Sequence, residues 1–415
     1  MINYFKYSED NFEQCMKCSV CTAYCPVTTV NQDFPGPKQA GPDGERYRLK
    51  DIKYFDETLK YCINCKRCEV ACPSNVKIAD IIQVVRLKHA PKNVSLRDQL
   101  LANTDKVGKL STKASSLVNG LLRARWFKSA LDLTLHIDSR RMMPLYGSHD
   151  FERVYKENYE KSQSKFTTKV YYFHGCYVNF NYPQLGEDLI KILNASGIGV
   201  FLLKDEKCCG LPMIMNGLTK KALEHARNNI NIIKKVVDEN YDVLTTSPSC
   251  TMTIRNEYAN ILNLDTEDIR ENVIMATRYL YNLVDEGKIK LVFRKDFKKR
   301  IVYHTSCHME KLGWPIFSYK LLSMIPGSKV TMLDSTCCGM AGTFGYKKEN
   351  YEFAQEIGTL LFDRIKKSDP DVVACDCESC KRQIEMSTSY TVQNPISIIA
   401  EALDYETTRE ANKNN

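Results

Sequence analysis

No run in this chain of 415 residues approaches the eighteen or so apolar residues that a membrane-spanning helix needs, so no spanning segment is expected. The first ten residues, Met1 to Asp10, lack the apolar centre of a secretory leader, and no signal peptide is expected. No Gly-x-Gly-x-x-Gly follows a strand pattern, which argues against a dinucleotide site of the chain's own. The nearest glycine string, Gly339-Met-Ala-Gly342-Thr-Phe-Gly345, has the wrong spacing and reads as a close-approach loop beside cysteines. The net charge of +8 comes without a recognisable nucleic-acid-binding motif, so no nucleic acid partner is expected. Lacking a flavin or nicotinamide site, a redox chain of this kind must take its electrons from another protein.

What the chain has in abundance is cysteine, eighteen in all. In a short secreted protein that would mean a disulfide scaffold, but here the cysteines fall into metal-ligand groups. Thiolates on iron call for a reducing compartment, which places the chain on the cytoplasmic side. Two runs, Cys15-x2-Cys18-x2-Cys21-x3-Cys25-Pro26 and Cys62-x2-Cys65-x2-Cys68-x3-Cys72-Pro73, share one spacing. It is the ferredoxin spacing, in which the fourth cysteine of each run crosses to the other 4Fe-4S cube. One cube would take Cys15, Cys18, Cys21 and Cys72; the other would take Cys62, Cys65, Cys68 and Cys25. Cysteines three apart on a helical turn would point the same way. Structural zinc, which uses paired Cys-x2-Cys elements and four ligands, is the competing reading, and two complete proline-closed runs disfavour it.

The fold class expected is α+β and multidomain: an α-helical ferredoxin domain, then two α/β repeats related by internal pseudo-symmetry. Residues 1–95 form the ferredoxin domain, with helices over Asp56–Tyr61 and Lys77–Lys88 and few strand patterns. Residues 96–165 form a basic helical connector. Between Arg86 and Lys165 stand 16 Lys and Arg against 8 Asp and Glu, a local +8 that could meet anionic lipid or an acidic partner. Its clearest element, Arg123 to Ile137, sets Trp126, Phe127, Ala130, Leu131, Leu133 and Ile137 on one side of a 3.6-residue period. At roughly 22 Å this helix is too short to span, but it could lie in the interface with Trp126 at headgroup level. Packing on its own domain or on a partner subunit accounts equally well for the pattern.

Residues 166–295 and 296–405 repeat one plan, and 406–415 read as a tail. The first copy runs through a strand to His174-Gly-Cys176, then to Cys208-Cys209-Gly210 and Ser247-Pro-Ser-Cys250. The second runs to His304-Thr-Ser-Cys307-His308, Cys337-Cys338-Gly339 and Cys377-Glu-Ser-Cys380, with Cys375 as an extra thiol. Strand and helix alternate, so each copy should build a parallel sheet, with cysteines outside the carboxyl ends of strands where α/β folds bind ligands. Helices starting there point positive ends at the sulfurs. The second copy offers five thiols in this pattern and the first only four, because Ser247 occupies the place of a cysteine. Inert packing and a metal cluster weigh about equally for the first copy.

The repeat resembles the cysteine-rich CCG module of heterodisulfide reductase catalytic subunits, which implies non-cubane 4Fe-4S clusters at such sites. The whole layout is similar to the C-subunit family of anaerobic glycerol-3-phosphate dehydrogenases. The resemblance is carried by Pro35-Gly-Pro-Lys-Gln-Ala-Gly-Pro-Asp-Gly-Glu-Arg46, Tyr61 to Pro73, His174-Gly-Cys176, His304 to Lys311, Cys337-Cys-Gly-Met-Ala-Gly342 and Cys377-Glu-Ser-Cys-Lys381. It implies an electron-transfer subunit, peripheral at the cytoplasmic face of the inner membrane. Such a subunit takes electrons from FAD-containing subunits A and B, which oxidise glycerol 3-phosphate to dihydroxyacetone phosphate, and delivers them to menaquinone.

The residues therefore frame three readings: a membrane-associated iron–sulfur relay, a disulfide or heterodisulfide reductase, and a docking scaffold. An iron–sulfur subunit of glycolate or lactate oxidation is a further relative of the first. For quinone reduction, which needs protons as well as electrons, His174, His304 and His308 are the candidates for proton delivery. Glu310 and Lys311 are weaker ones, for which a structural role comes first.

Overall fold

The structure is a computed structural model and describes residues 11–91 and 93–413. The leader-peptide expectation for Met1–Asp10 lies outside those residues, as do the last two positions of the expected tail.

The ferredoxin module is helical, and among its described residues it holds no strand. Its two cysteine runs are not helical turns, contrary to the reading from spacing. Lys17 and Ser19 in the first run, and Asn64 and Lys66 in the second, all take left-handed φ values between 52° and 64°. Helix begins only at Val20–Ala23 and Arg67–Val70. Positive-φ residues spaced two apart curl the backbone tightly, and turns of that kind can form anion-binding nests that suit an electron-rich cluster. Each such residue costs about 1–2 kcal/mol because its Cβ crowds the next carbonyl, and the same strain recurs at matching places in both runs.

The helix Ile78–Lys88 is buried on nearly every side. Ile78, Ile81, Ile82 and Val85 face the ferredoxin core, while Val84 and Leu87 join the core of the first repeat. The helix's two buried polar residues are satisfied, Asp80 by Lys66 and Gln83 by the Ile214 carbonyl at 3.0 Å, so it sits inside the structure and joins two modules.

Each repeat contains a four-stranded parallel sheet. The first is ordered β2-β1-β3-β4, with β1 Thr168–Phe173, β2 Ile198–Leu202, β3 Val243–Thr245 and β4 Val273–Met275. The second is ordered β6-β5-β7-β8, with β5 Arg300–Tyr303, β6 Lys329–Met332, β7 Val372–Ala374 and β8 Val392–Gln393. The two orders are the same, which makes the repeats structural copies.

The repeats are not separate bodies. One apolar core holds Tyr172, Leu189 and Leu193 from the first together with Ile301, Tyr303, Leu321 and Ile399 from the second, and Phe151 of the connector lies in it too. The expected tail at 406–415 is instead a helix, Tyr405–Ala411, and Asn412 beyond it exchanges hydrogen bonds with the Lys290 backbone at 2.8 and 2.9 Å.

The connector opens with a string of four helices, Leu96–Ala102, Thr104–Lys113, Ser115–Arg123 and Arg125–Leu135, and closes with two more, Phe151–Asn158 and Glu160–Gln163. The expected Arg123–Ile137 helix is cut short because His136 turns left-handed at φ 51°. Ile137 then leaves the helix and bridges to Lys347. Much of the connector's charge is used internally: Asp98 pairs with Lys347 at 3.0 Å, Arg97 with Glu349 at 2.9 Å and Arg140 with Glu352 at 2.5 Å. Arg141 is fully buried and donates to Gln383 at 2.6 Å.

Candidate metal centre

Eighteen free thiols gather into four sets. Cys15, Cys18, Cys21 and Cys72 surround one hollow with Lys38 at its edge. Burial raises the Cys21 thiol, and Cys15, Cys72 and Cys18 add to the effect, so these four sulfurs sit close enough to feel one another. Cys25 keeps company with Cys65 and Cys62; burial, then those neighbours, push its thiol up to about 12. Burial likewise raises Cys68, which is flanked by Cys65, Cys62 and Cys25. The structure thus brings each fourth cysteine to the other run's triplet. Buried thiols of this density want a cation, and a coordinated thiol is deprotonated outright.

In the first repeat Cys176, Cys208, Cys209 and Cys250 stand in a row, each thiol near enough to shift the next. Hydrogen bonds from Cys176 and Cys209 hold Cys208 well below the usual thiol range, with Thr104 and the Gly210 N–H contributing. The Cys208 N–H donates to Asp105 of the connector at 2.9 Å. In the second repeat a hydrogen bond from Cys380, with the Met340 and Ala341 N–H groups, lowers Cys338 in the same way. Cys307 opens the helix Cys307–Leu312 and Cys377 caps the helix Glu378–Ser387, so both sulfurs stand at positive helix ends. Gly339 sits at φ +83°, and a Cβ there would lie 1.9 Å from the Ala354 carbonyl oxygen.

Two contacts join the sets. Cys65 of the ferredoxin module lies beside Cys307, and Cys307 beside Cys337, each thiol near enough to shift its neighbour. Arg67, beside Cys307, donates to Glu310 at 2.9 Å and to Ser335 at 2.6 Å, and its guanidinium lies 4.3 Å from the Tyr24 ring centroid. Across the seam between repeats, Ser247 donates to Glu378 at 3.1 Å. A cavity of about 30 Å³ lies there, lined by Cys176 and Cys250 on one side and Cys375 and Cys377 on the other, with His174 and Lys381.

The candidate histidines take three different positions. His174 is buried between Glu206 at 3.4 Å and the half-exposed Glu152 at 3.6 Å. Burial opposes its protonation, but Glu206 and Glu152 outweigh burial and lift it to about 9, while burial lifts Glu206 to about 7. His308 lies between Ser249 at 3.0 Å and the Asn64 carbonyl at 3.5 Å, tying the first repeat to the ferredoxin module. His304 is wholly buried and has no partner on either ring nitrogen; burial, with Arg67 adding to it, lowers its pKa to about 3. Glu310 clamps Arg67 and Tyr24, and Lys311 pairs with buried Glu69 at 2.7 Å, so both hold the module interface.

Spacing misses Arg67, Asp105, Glu206 and Glu378. A signal for Arg67 does exist. The second run carries Lys66-Arg67 where the first carries Ser19-Val20, and two cations inside a cysteine run have to be accommodated by partners elsewhere.

Comparison with known proteins agrees with this geometry. The model of the cysteine-rich domain matches residues 170–255 and 301–385, and that of the 4Fe-4S dicluster domain matches 11–76. The chain is 50% identical over 397 residues, 95% of its length and 100% of the relative's, to the C subunit of anaerobic glycerol-3-phosphate dehydrogenase of Escherichia coli K12. It is 28% identical to the D subunit of dihydromethanophenazine:CoB–CoM heterodisulfide reductase of Methanosarcina barkeri, over 57% of this chain and 60% of that one. It is 30% identical to lactate utilization protein A 2 of Bacillus cereus, over 48% of this chain and 80% of that one.

Proposed function

Because the chain belongs to the family of anaerobic glycerol-3-phosphate dehydrogenase C subunits, we propose that it carries electrons from FAD-containing subunits A and B to menaquinone. The reaction served is oxidation of glycerol 3-phosphate to dihydroxyacetone phosphate, which releases two electrons; menaquinone takes up two electrons and two protons. Iron–sulfur clusters, when bound, accept and release those electrons singly. Cys15, Cys18, Cys21 and Cys72 hold one cube and Cys62, Cys65, Cys68 and Cys25 the other. Cys307, Cys337, Cys338, Cys377 and Cys380 hold a third cluster, and Cys176, Cys208, Cys209 and Cys250 are candidates for a fourth.

The observation that carries the relay is the Cys65–Cys307 contact, which sets a ferredoxin thiol against a second-repeat thiol. The seam at Ser247 and Glu378 extends the series to the first repeat. Proton delivery falls to His174, the one candidate histidine that lines the seam cavity, linked to solvent by Glu152. The heterodisulfide reductase and lactate-oxidation readings rest on similarity over about half the chain, against nearly all of it for the C-subunit family.

For attachment, no helix among the described residues is long and apolar enough to cross a membrane. The connector nevertheless leaves Leu96, Leu110, Leu117, Trp126 and Leu133 more than 60% exposed, one or two on each of its first four helices. Beside them stand Lys109, Lys113, Arg123, Arg125 and Lys128, a combination that suits an anionic lipid surface. The chain then lies peripherally on the cytoplasmic face.

The test is glycerol 3-phosphate-driven reduction of a menaquinone analogue by the assembled complex. Replacing Cys307 with Ser should leave the 15–72 cubes reducible by the substrate, seen by EPR, while quinone reduction collapses. Quinone reduction at the wild-type rate in that variant would end the relay reading.

A further inference from the structure

The two repeats share strand order and cysteine pattern, so their differences at equivalent positions carry information. Counting back from the first cysteine of each copy, Cys176 matches Cys307, Tyr172 matches Tyr303, and Phe173 matches His304. Counting back from the last, Cys250 matches Cys380, Ser247 matches Cys377, and Thr245 matches Cys375. Strand pairing supports both counts: Tyr172 lies opposite Leu244 and Tyr303 opposite Ala374, equivalent pairs in the two sheets. His174 and His304 are therefore not counterparts. Where the first repeat has the neighbouring pair Phe173 and Thr245, the second has His304 and Cys375.

Those replacements converge on one point. Ligand atoms of His304, Cys375 and Cys380 all lie within 4.8 Å of one another, and all three residues are buried. Both His304 ring nitrogens lack hydrogen-bond partners, as do the hydroxyls of Thr305 and Ser306 that follow it. A buried polar group without a partner is costly, and three in a row after one strand make a polar lining at the end of β5. Phenylalanine in the first repeat meets no such cost. An imidazole is a common metal ligand, and beside thiolates it makes a mixed nitrogen–sulfur donor set suited to iron.

We propose that the second-repeat centre is bound through nitrogen as well as sulfur: His304 and Cys375 join Cys380 as ligands to one of its irons. The remaining thiols of that repeat, Cys307, Cys337, Cys338 and Cys377, serve the rest of the centre. The first repeat, with Phe173, Thr245 and Ser247 in the corresponding places, has only its four cysteines, so the two centres differ in donor atoms. This inference rests on the reading that the second repeat holds iron.

Pulsed EPR on anaerobically prepared full-length holoprotein, grown with natural-abundance or 15N-labelled histidine, tests it. The expected result is a nitrogen coupling at the second-repeat centre that changes with the isotope and is lost in His304→Phe. That variant installs the residue the first repeat already tolerates. Cys375→Thr, which likewise installs the first repeat's residue, should lower the iron-to-protein ratio. Iron present in the second repeat with no histidine coupling in the wild type would overturn the proposal, whatever the variants do. A coupling that survives His304→Phe would overturn it too. Absence of iron from the second repeat altogether, judged by an iron count unchanged in Cys307→Ser, would instead overturn the relay reading.

Discussion

Gly339 shows how tightly the sulfur loops are drawn. Its φ of +83° and the Ala354 oxygen 1.9 Å from any Cβ leave no room for another residue, whereas at Gly210 the nearest heavy atom is 3.6 Å away. Gly339→Ala should therefore lower the thermal midpoint and strip iron from the second repeat, while Gly210→Ala shows only the milder backbone penalty of about 1–2 kcal/mol. Anaerobic calorimetry with iron counts distinguishes the two. Lys66 makes a second residue-scale case. It is buried among Asp80, Glu257 at 3.4 Å and Glu69 at 3.9 Å. Burial pushes the ammonium toward neutrality, but the three carboxylates outweigh it and raise its pKa. With the folded pKa raised, the stabilisation is complete below the ordinary lysine value of about 10.4 and fades only as pH climbs through the folded value. Lys66→Met should cost about 3–5 kcal/mol in denaturant unfolding at neutral pH, since it strands buried carboxylates. None of the left-handed positions Lys17, Ser19, Asn64 or Lys66 was legible in the sequence, because none is glycine and spacing alone fits a helical turn equally well.

Among the elements, the connector departs furthest from its periodicity. Trp126 and Leu133 are 67% and 79% exposed, but Ala130 adds little and Ile137 has left the helix. Sequence period cannot foresee a left-handed stop at His136, since histidine takes that conformation more often than most residues but far from always. The exposed positions give the better membrane test. Trp126→Ser combined with Leu117→Ser and Leu133→Ser should release the complex from anionic vesicles in a sedimentation assay while leaving dye reduction by the soluble fraction intact. Unchanged sedimentation would move attachment to another surface. The parallel sheets were legible as an alternation of strand and helix, with apolar runs ahead of the cysteines. The strands Val273–Met275 and Val392–Gln393 are invisible to pattern because they are short and no cysteine follows to mark their ends. The counterpart of His304 is obscured for a similar reason: a one-residue difference between His-Gly-Cys and His-Thr-Ser-Cys hides its match with Phe173.

For the whole molecule, boundaries drawn from sequence mark module identity but not independence. Val84, Leu87 and Ala102 lie in the first repeat's core, Cys337, Phe344 and Ile357 in the ferredoxin core, and Phe151 and Tyr155 in the core shared by both repeats. A chain beginning at residue 166 should consequently fail to give a single cooperative unfolding transition, and co-expression with residues 1–165 should restore it. A sharp transition for the isolated 166–413 segment would show that the repeats need no support.

The meeting of Cys65 with Cys307, and of His304 with Cys375 and Cys380, also sets a timetable for biosynthesis. A ribosome releases Cys15 through Cys72 early, so the ligands of the two proposed amino-terminal cubes are on the nascent chain before Cys337, Phe344 and Ile357 arrive to close the core around them. The second repeat's donors come together only once Cys380 has emerged and β7 has paired with β5. On the proposed reading its metal arrives last, on an almost finished protein, and a cell short of iron would accumulate molecules loaded at one end and empty at the other.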